Sequence, residues 1–370
     1  MNLWVTIFII SIAASLAGII YLIWAVGQFP FIKKLSRGNR KLGALFAFIL
    51  IVLVLGLFYL TMSTTNMIVI LLFVIGFRLI FGLAARIISL FYKKPFKTYW
   101  QGYLSLIICA IYLTYGYINC RHVTVTEYDL KTDKDVGKLK AAVFADSHIG
   151  TTFDADGFSR HMDDMMKHSP DIVLIVGDFV DDSTKKSEMI RACKVLGKLD
   201  PKYGVWYVFG NHDRGYYSGD ADDFDGDDLV NALEQNHVHV LKDETALIDN
   251  RFYLVGREDS GRDRMDIGGL TGNLDPGKYT IVLDHEPTDY DNEAAAGVDL
   301  VLSGHTHGGQ VWPVTYVGEW FDINDATYGY ERRDKTDFIV TSGISDWEIL
   351  FKTGTKAEYL ILNISPDSHS

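Results

Sequence analysis

The 370-residue chain is 48% hydrophobic and 22% charged, with a formal net charge of −12 and three cysteines. That length suits one large domain or two ordinary ones. The cysteine count excludes a disulfide scaffold and a four-cysteine zinc site, and the acidic balance argues against a general nucleic-acid binder. The averages conceal a division. Residues 1–120 hold 10 Lys and Arg and no Asp or Glu, whereas residues 121–370 hold the other 25 basic residues and all 47 acidic ones. An apolar, basic segment is therefore joined to an acidic, water-soluble one.

Met1 to Ile32 carry no charged side chain, and residues 3–26 are all apolar or small. Such a run crosses about 30 Å of hydrocarbon at about 1.5 Å per residue. A secretory signal peptide fits worse: there is no basic n-region, the run is too long, and more such runs follow. The uncharged stretch from Leu42 to Phe77 is interrupted by Thr61-Met62-Ser63-Thr64-Thr65-Asn66. It reads as two helices, about 42–60 and 67–90, joined by a tight turn. Arg78 and Arg86 lie towards one end of the third helix, where long stems snorkel to the interface. A fourth span covers about 100–118. It opens with Tyr99-Trp100 and closes among Tyr112, Tyr115 and Tyr117, as interfacial aromatic belts do.

The loops set an orientation. Lys33, Lys34, Arg37, Arg40 and Lys41 lie between spans one and two, and Lys93, Lys94 and Lys97 between spans three and four. The turn between spans two and three has no charge. The positive-inside bias puts both basic linkers in the cytoplasm, and the N-terminus and everything after span four outside it. The expectation is an integral, multi-pass protein of the cell membrane, with a helical membrane domain over 1–120 and the acidic domain over 121–370 outside the cytoplasm.

Beyond residue 121 the pattern is that of a soluble α/β protein. Strands are expected at 139–145, 172–176, 205–209, 252–255, 280–284, 299–303, 337–341 and 357–363, and helices at 157–168 and 184–198. Strand–helix alternation implies largely parallel pairing. Polar groups follow the strands. Asp146-Ser147-His148 comes after the first, Gly177-Asp178-Phe179-Val180-Asp181 after the second, and Gly210-Asn211-His212-Asp213 after the third. Asp284-His285-Glu286 and Gly304-His305-Thr306-His307-Gly308-Gly309 follow later ones. In open α/β sheets ligands bind at that rim.

Asp146, His148, Asp178, Asn211, His285, His305 and His307 offer carboxylate, imidazole and amide oxygen donors, a set suited to Mn²⁺, Fe or Zn²⁺. Seven donors exceed one ion and suit two ions sharing a carboxylate; such pairs clamp the entering and leaving oxygens of a phosphoryl group. In an extended segment residues two apart share a side, so Asp146 with His148, and His305 with His307, can each face one cluster. Alone, Asp-Ser-His and Gly-Asp are ordinary turn sequences. Gly-His-Thr-His-Gly-Gly is the sharpest element, a poor core and a good metal loop.

With the five blocks ADSH, GDFVD, GNHD, DHEP and GHTHGG in order, residues 140–365 resemble the calcineurin-like metallophosphoesterase superfamily. His307-Gly308-Gly309-Gln310 and Tyr216-Tyr217-Ser218-Gly219 resemble its membrane-associated bacterial branch. That branch includes transmembrane metallophosphoesterases and relatives of UDP-2,3-diacylglucosamine pyrophosphatases. The resemblance implies a four-layer α/β/β/α sandwich behind the helical bundle and a dinuclear centre, manganese first with zinc or iron as alternatives. It implies that Asp146, His148, Asp178 and His307 hold one metal and Asp178, Asn211, His285 and His305 the other, with a metal-bridging hydroxide as nucleophile. His212 is then a catalytic group and not a ligand, oriented by Asp213 or by Asp181. One departure stands out: Asp182 occupies the position where protein phosphatases carry a phosphate-gripping Arg. That favours a phosphodiester or pyrophosphate over a phosphoprotein.

The acidic stretch Asp220–Asp228 fails calcium-loop spacing, with Ala221 and Ala232 at the first and last positions, and reads as a solvated loop or helix start. Tyr216, Tyr217, Trp312, Trp320 and Phe321 offer an apolar approach for a lipid-linked substrate, although each alone reads as core. The implied partners are a phosphorylated small molecule or lipid and the membrane lipids, with no nucleic acid. The competing readings are an inactive metal-binding sensor or scaffold at the membrane, and a transporter. The spans lack the paired charges and broken helices a transporter needs.

Overall fold

The computed structural model describes residues 3–92, 98–214 and 224–367. The chain forms two compact units, Met1–Gly116 and Tyr117–Ser370. Lys93, Lys94, Lys97, Tyr216, Tyr217 and the acidic residues Asp220, Asp222 and Asp223 lie outside the described residues.

The first unit is helical: α1 (Leu3–Gly27), α2 (Pro30–Leu35), α3 (Arg40–Thr61), α4 (Thr64–Tyr92) and α5 (Trp100–Asn119), whose last turn belongs to the second unit. Four of these are long and apolar enough to cross a membrane: Thr6–Gly27, Arg40–Thr61, Thr64–Phe91 and Trp100–Asn119. Sequence chemistry sets their ends. Pro30 opens α2, where its missing N–H costs nothing, and the Asn39 side chain caps α3 by accepting from the N–H groups of Lys41 and Leu42. The turn from α3 to α4 is shorter than the sequence suggested, because Ser63 Oγ accepts from Asn66 N and Nδ2 and starts α4 at Thr64.

Leu22, Ile51, Leu71 and Ile75 form the core of the bundle. At Gly18 a Cβ would stand 2.0 Å from Ile75 Cδ1, the close approach that small residues permit between apolar helices. Arg78 departs from the snorkelling expectation. It is buried; its guanidinium donates to Tyr99 Oη at 2.5 Å and to the Gln101 carbonyl at 3.3 Å, and Tyr99 Oη donates to the Ala25 carbonyl at 2.9 Å. Neutral oxygens inside the bundle take the place of water at both terminal nitrogens, while the buried Nε has no hydrogen-bond partner among the described residues. Tyr112, expected in an interfacial belt, packs instead against Phe73 and Phe77.

The second unit carries strands β1 (Thr124–Thr132), β2 (Leu139–Phe144), β3 (Ile172–Val176), β4 (Val205–Val208), β5 (Val238–Val240), β6 (Glu244–Ile248), β7 (Phe252–Gly256), β8 (Tyr279–Leu283), β9 (Leu300–Ser303), β10 (Gly329–Arg333), β11 (Thr336–Val340) and β12 (Glu358–Pro366). Helices α6 (Ala155–Met166), α7 (Lys186–Leu196), α8 (Gly226–Gln235), α9 (Ile267–Thr271), α10 (Tyr290–Ala295) and α11 (Val317–Trp320) connect them. One sheet has the order β1-β12-β2-β3-β4-β5 and the other β10-β11-β9-β8-β7-β6. Pairing is mostly parallel, with antiparallel pairs at β12–β2, β6–β7 and β10–β11.

Period-2 alternation explains the layers. Ala141, Val143, Leu174 and Val176 face the second sheet's Leu254, Ile281, Leu283, Leu300 and Leu302. Their neighbours Ala142, Phe144, Val173 and Ile175 face outward onto Phe158, Met162, Met165 and Met189 of α6 and α7. Val255, Val282 and Val301 pack under Ile267, Leu270 and Tyr290 of α9 and α10. The result is the expected four-layer α/β/β/α sandwich. The acidic stretch ends as a helix start: Asp225 and Asp228 form a capping box on α8.

Candidate metal centre

The five motif loops leave the carboxyl ends of β2, β3, β4, β8 and β9 and converge. Asp146 N donates to the Gly177 carbonyl at 3.1 Å, His148 N to the Asp178 carbonyl at 3.1 Å, and Gly304 N to the His285 carbonyl at 3.0 Å. Turning side chains back over the sheet ends requires unusual backbone. Asp146, His148, Asp178, His305 and His307 all have φ between 37° and 67°, a left-handed conformation costing about 1 kcal/mol or more for a residue with a Cβ. Five such residues at one spot mark strain held in place by the surrounding fold. The motif glycines serve close approach. At Gly177, with φ +77°, a Cβ would fall 2.5 Å from His285 Nδ1, and at Gly210 it would fall 2.3 Å from Asp178 Oδ1.

The structure brings all seven sequence-derived donors together as two groups. In one, donor atoms of Asp146, His148 and His307 lie within 4.8 Å of one another; in the other, those of Asp178, His285 and His305 do. Asn211 joins the second, its Oδ1 standing 2.8 Å from His305 Nδ1. Asp178 lies between the groups. Its Oδ2 is 3.1 Å from His285 Nε2 and 3.7 Å from His148 Nε2, while its Oδ1 accepts from His212 N at 2.8 Å. Asp146 is held by the His305 N–H at 3.0 Å.

The set fits cations. His148 Nε2 and His285 Nε2 are buried nitrogens without a hydrogen-bond partner, which is costly unless something positive binds their lone pairs. His285 Nδ1 lies 2.7 Å from the Val176 carbonyl. That contact fixes Nδ1 as the protonated nitrogen and leaves Nε2 as the ligand atom, the orienting bond that metal-bound imidazoles use.

Electrostatics agree. Burial alone would lower His148, yet Asp181, Asp178 and Asp146 raise it to about 9. Burial opposes ionisation of Asp178, but His285, His148 and His212 hold it well below the usual carboxylate range. Burial lowers His305 to about 4 and His307 well below its usual value, His285 adding to the first and His148 to the second. A positive charge placed between these carboxylates is favoured, and the imidazoles of the GHTHGG loop are kept neutral as ligands must be.

His212 stands beside the two groups. Its Nδ1 is 3.0 Å from Asp182 Oδ2 and 3.6 Å from Asp181 Oδ1, and its ring lies 5.1 Å from the indole of Trp347. Asp213, expected to orient it, is engaged elsewhere. Its two oxygens accept from Val180 N at 3.0 Å and Gly210 N at 2.8 Å, tying the GDFVD and GNHD loops together. Asp182 has the closer contact because the adjacent Asp181 also faces His148 Nδ1, at 3.4 Å, and bonds Thr151 and Ser183.

Three residues around the site carry no sequence signal. Lys352 is fully buried, and its ammonium donates to Asp346 Oδ1 at 2.7 Å and to the Ser342 carbonyl at 2.6 Å. Asp346 Oδ1 in turn lies 3.7 Å from His307 Nδ1. Behind His285, Arg257 gathers Asp284, Asp289 and Glu293 at 2.8, 2.7 and 3.3 Å. Burial, with Asp284 and Asp259, pushes the neighbouring Glu286 up to about 8.

Comparison with known proteins agrees with this geometry. Residues 139–309 match the model of the calcineurin-like phosphoesterase family. The chain is 29% identical to an uncharacterized metallophosphoesterase of Campylobacter jejuni, over 70% of this chain and 69% of that protein. It is 30% identical to one of Aquifex aeolicus, over 57% and 80% of the two chains. It is 28% identical to a transmembrane protein with metallophosphoesterase domain of Danio rerio, over 70% of this chain and 61% of that longer relative. With the matched segment running from β2 through the His307 loop, the chain belongs to the calcineurin-like phosphoesterase family of metal-dependent phosphoric ester hydrolases.

Proposed function

We propose that the chain is a membrane-anchored phosphoesterase that uses two divalent cations, manganese first, to hydrolyse a phosphodiester or pyrophosphate. Asp146, His148, Asp178 and His307 would hold one cation and Asp178, Asn211, His285 and His305 the other. The observation that carries this reading is the position of Asp178 Oδ2 between His285 Nε2 and His148 Nε2, at 3.1 and 3.7 Å. When bound, such a pair supplies Lewis acidity and lowers the pKa of a water.

The chain's own residues do the rest. Asp178 neutralises and spaces the two halves of the site. Asp182 and Asp181 hold His212 through Nδ1 and favour its imidazolium form, which can donate a proton through Nε2 to a phosphoryl or leaving oxygen. Asp182 also supports the substrate class. A carboxylate at that place repels the second charge of a phosphate monoester more than the single charge of a diester. The four apolar helices support anchoring. Lys33, Lys34, Arg37, Arg40 and Lys41 support a cytoplasmic first linker and a catalytic domain on the other face of the cell membrane.

The test is hydrolysis of bis-p-nitrophenyl phosphate by the purified full-length protein with added Mn²⁺. Turnover is expected, with loss of both turnover and metal affinity in Asp178→Asn. Two bound cations with no turnover in any divalent metal would replace this reading with that of an inactive metal-binding scaffold.

A further inference from the structure

The short stretch after the His307 loop has a surface unlike the rest of the catalytic unit. Trp312 is 61% exposed, Trp320 67% and Phe321 61%, with Val314 and Tyr316 exposed between them. Taken singly each of these aromatics suits a core; the fold turns them outward together. Elsewhere in this unit, among the described residues, exposed large apolar side chains such as Val125, Leu247, Met265 and Tyr330 are far apart in the chain, which is ordinary for a protein surface. A cluster of this kind marks an interaction site.

The stretch is not loose. Thr315 is buried, and its backbone lies so close to Gly309 that a Cβ there would stand 2.0 Å from the Thr315 carbonyl oxygen. Trp312 N donates to Thr353 Oγ1 at 3.1 Å. The single charge within 311–321 is Glu319, and its carboxylate accepts from Thr327 N at 2.6 Å. The outward side chains therefore stand on a hydrogen-bonded backbone and are apolar, with two tryptophans, one tyrosine and one phenylalanine.

Its anchorage identifies what it meets. Asn119, the last residue of α5, donates through Nδ2 to the carbonyls of Lys352 and Thr355 at 3.0 and 2.6 Å, and Cys120 Sγ donates to the Leu350 carbonyl at 3.2 Å. The same short segment bonds the aromatic stretch: Thr353 N and Gly354 N donate to the Gln310 carbonyl at 2.8 and 3.0 Å. It also reaches the metal site, through Trp347 beside His212 and through Asp346 beside His307. Residues 346–355 thus join the end of the last apolar helix, the aromatic stretch and the rim of the site.

We propose that Trp312, Val314, Tyr316, Trp320 and Phe321 form a foot that beds in the headgroup region of the bilayer crossed by α5, holding the opening of the metal site beside Trp347 at that plane. Indole and phenol rings partition to that region, apolar body inward and polar edge to water. The substrate class follows: a phosphoester or pyrophosphate anchored by acyl or prenyl chains, its phosphorus presented at headgroup depth. This rests on the anchoring part of the reading above.

The experiment uses the full-length protein in lipid nanodiscs, with an NBD probe at Trp320→Cys or Val314→Cys. Ile111→Cys, within α5, is the membrane control, and Lys167→Cys, on the catalytic unit, is the aqueous control. Both foot positions should show blue-shifted emission, quenched by a lipid carrying doxyl near its headgroup. Ile111→Cys should be quenched by a mid-chain doxyl lipid and Lys167→Cys by neither. Foot probes that behave like Lys167→Cys while Ile111→Cys is quenched overturn the foot and leave the anchor standing. An unquenched Ile111→Cys overturns the anchor, and the foot with it. Turnover of bis-p-nitrophenyl phosphate, retained in each variant, shows that the labelled proteins are folded.

Discussion

His212 is the residue on which the proposed chemistry turns without metal ligation. Its backbone N–H braces Asp178, its ring is held by Asp182 and Asp181, and Trp347 flanks it. Replacing it with alanine removes a proton donor worth about 10²–10⁴ in rate and leaves every proposed metal-ligating atom in place. His212→Ala is therefore expected to lose turnover by that factor and to keep two equivalents of metal by elemental analysis. A variant that loses its metals as well would make the ring a ligand. The residue type was legible from GNHD, and its carboxylate partner was not. Asp181, Asp182 and Asp213 all lie near it in sequence or motif. Only the packed loops show that Asp213 is spent on two backbone N–H groups and that Asp182 faces the ring.

At the scale of elements, the site exists because short buried strands end together. β3 reads IVLIV and is buried along its whole length, with Leu174 facing the opposite sheet and Val173 and Ile175 facing the helices. Leu174→Ala leaves a cavity between two sheets that cannot easily collapse, and should lower stability by about 2–5 kcal/mol, read from denaturant unfolding of the full-length protein. An effect below about 1 kcal/mol would mean that the inter-sheet layer is less tightly packed than its burial indicates. Central strands such as β3 were legible because runs of four or five apolar residues follow polar turns. The outer strands were not. β1 reads TVTEYDLKT and β10 reads GYERR, each exposed or half-exposed along much of its length. Their polar sequences carry little hydrophobic signal, and β1 becomes a strand by pairing in parallel with β12.

For the whole molecule, the charge division along the chain carries the prediction. In the proposed orientation the insertion bias keeps the positive linker between α1 and α3 in the cytoplasm, and the three spans that follow it carry the chain to the opposite face. Protease added outside intact cells should therefore digest the catalytic unit. Protection of that unit until the cells are opened would reverse the orientation and confine the enzyme to cytoplasmic substrates. Salt concentration does not enter this test, because orientation is set at insertion and not by exposed ion pairs.

Composition and spacing alone determined that the chain has an apolar basic part and an acidic α/β part, and which side chains are candidate donors. Both are properties of local sequence, since hydrocarbon selects long uncharged runs and strand ends select the glycine-flanked motifs. The tertiary structure decided the rest. It brought donors from residue 146 to residue 307 into two groups around Asp178, buried Arg78 among neutral oxygens, and turned Trp312, Trp320 and Phe321 outward. These depend on contacts between residues far apart in the chain. An aromatic side chain has the same sequence signature in a core as on a membrane-facing surface, and only the packing around it separates the two.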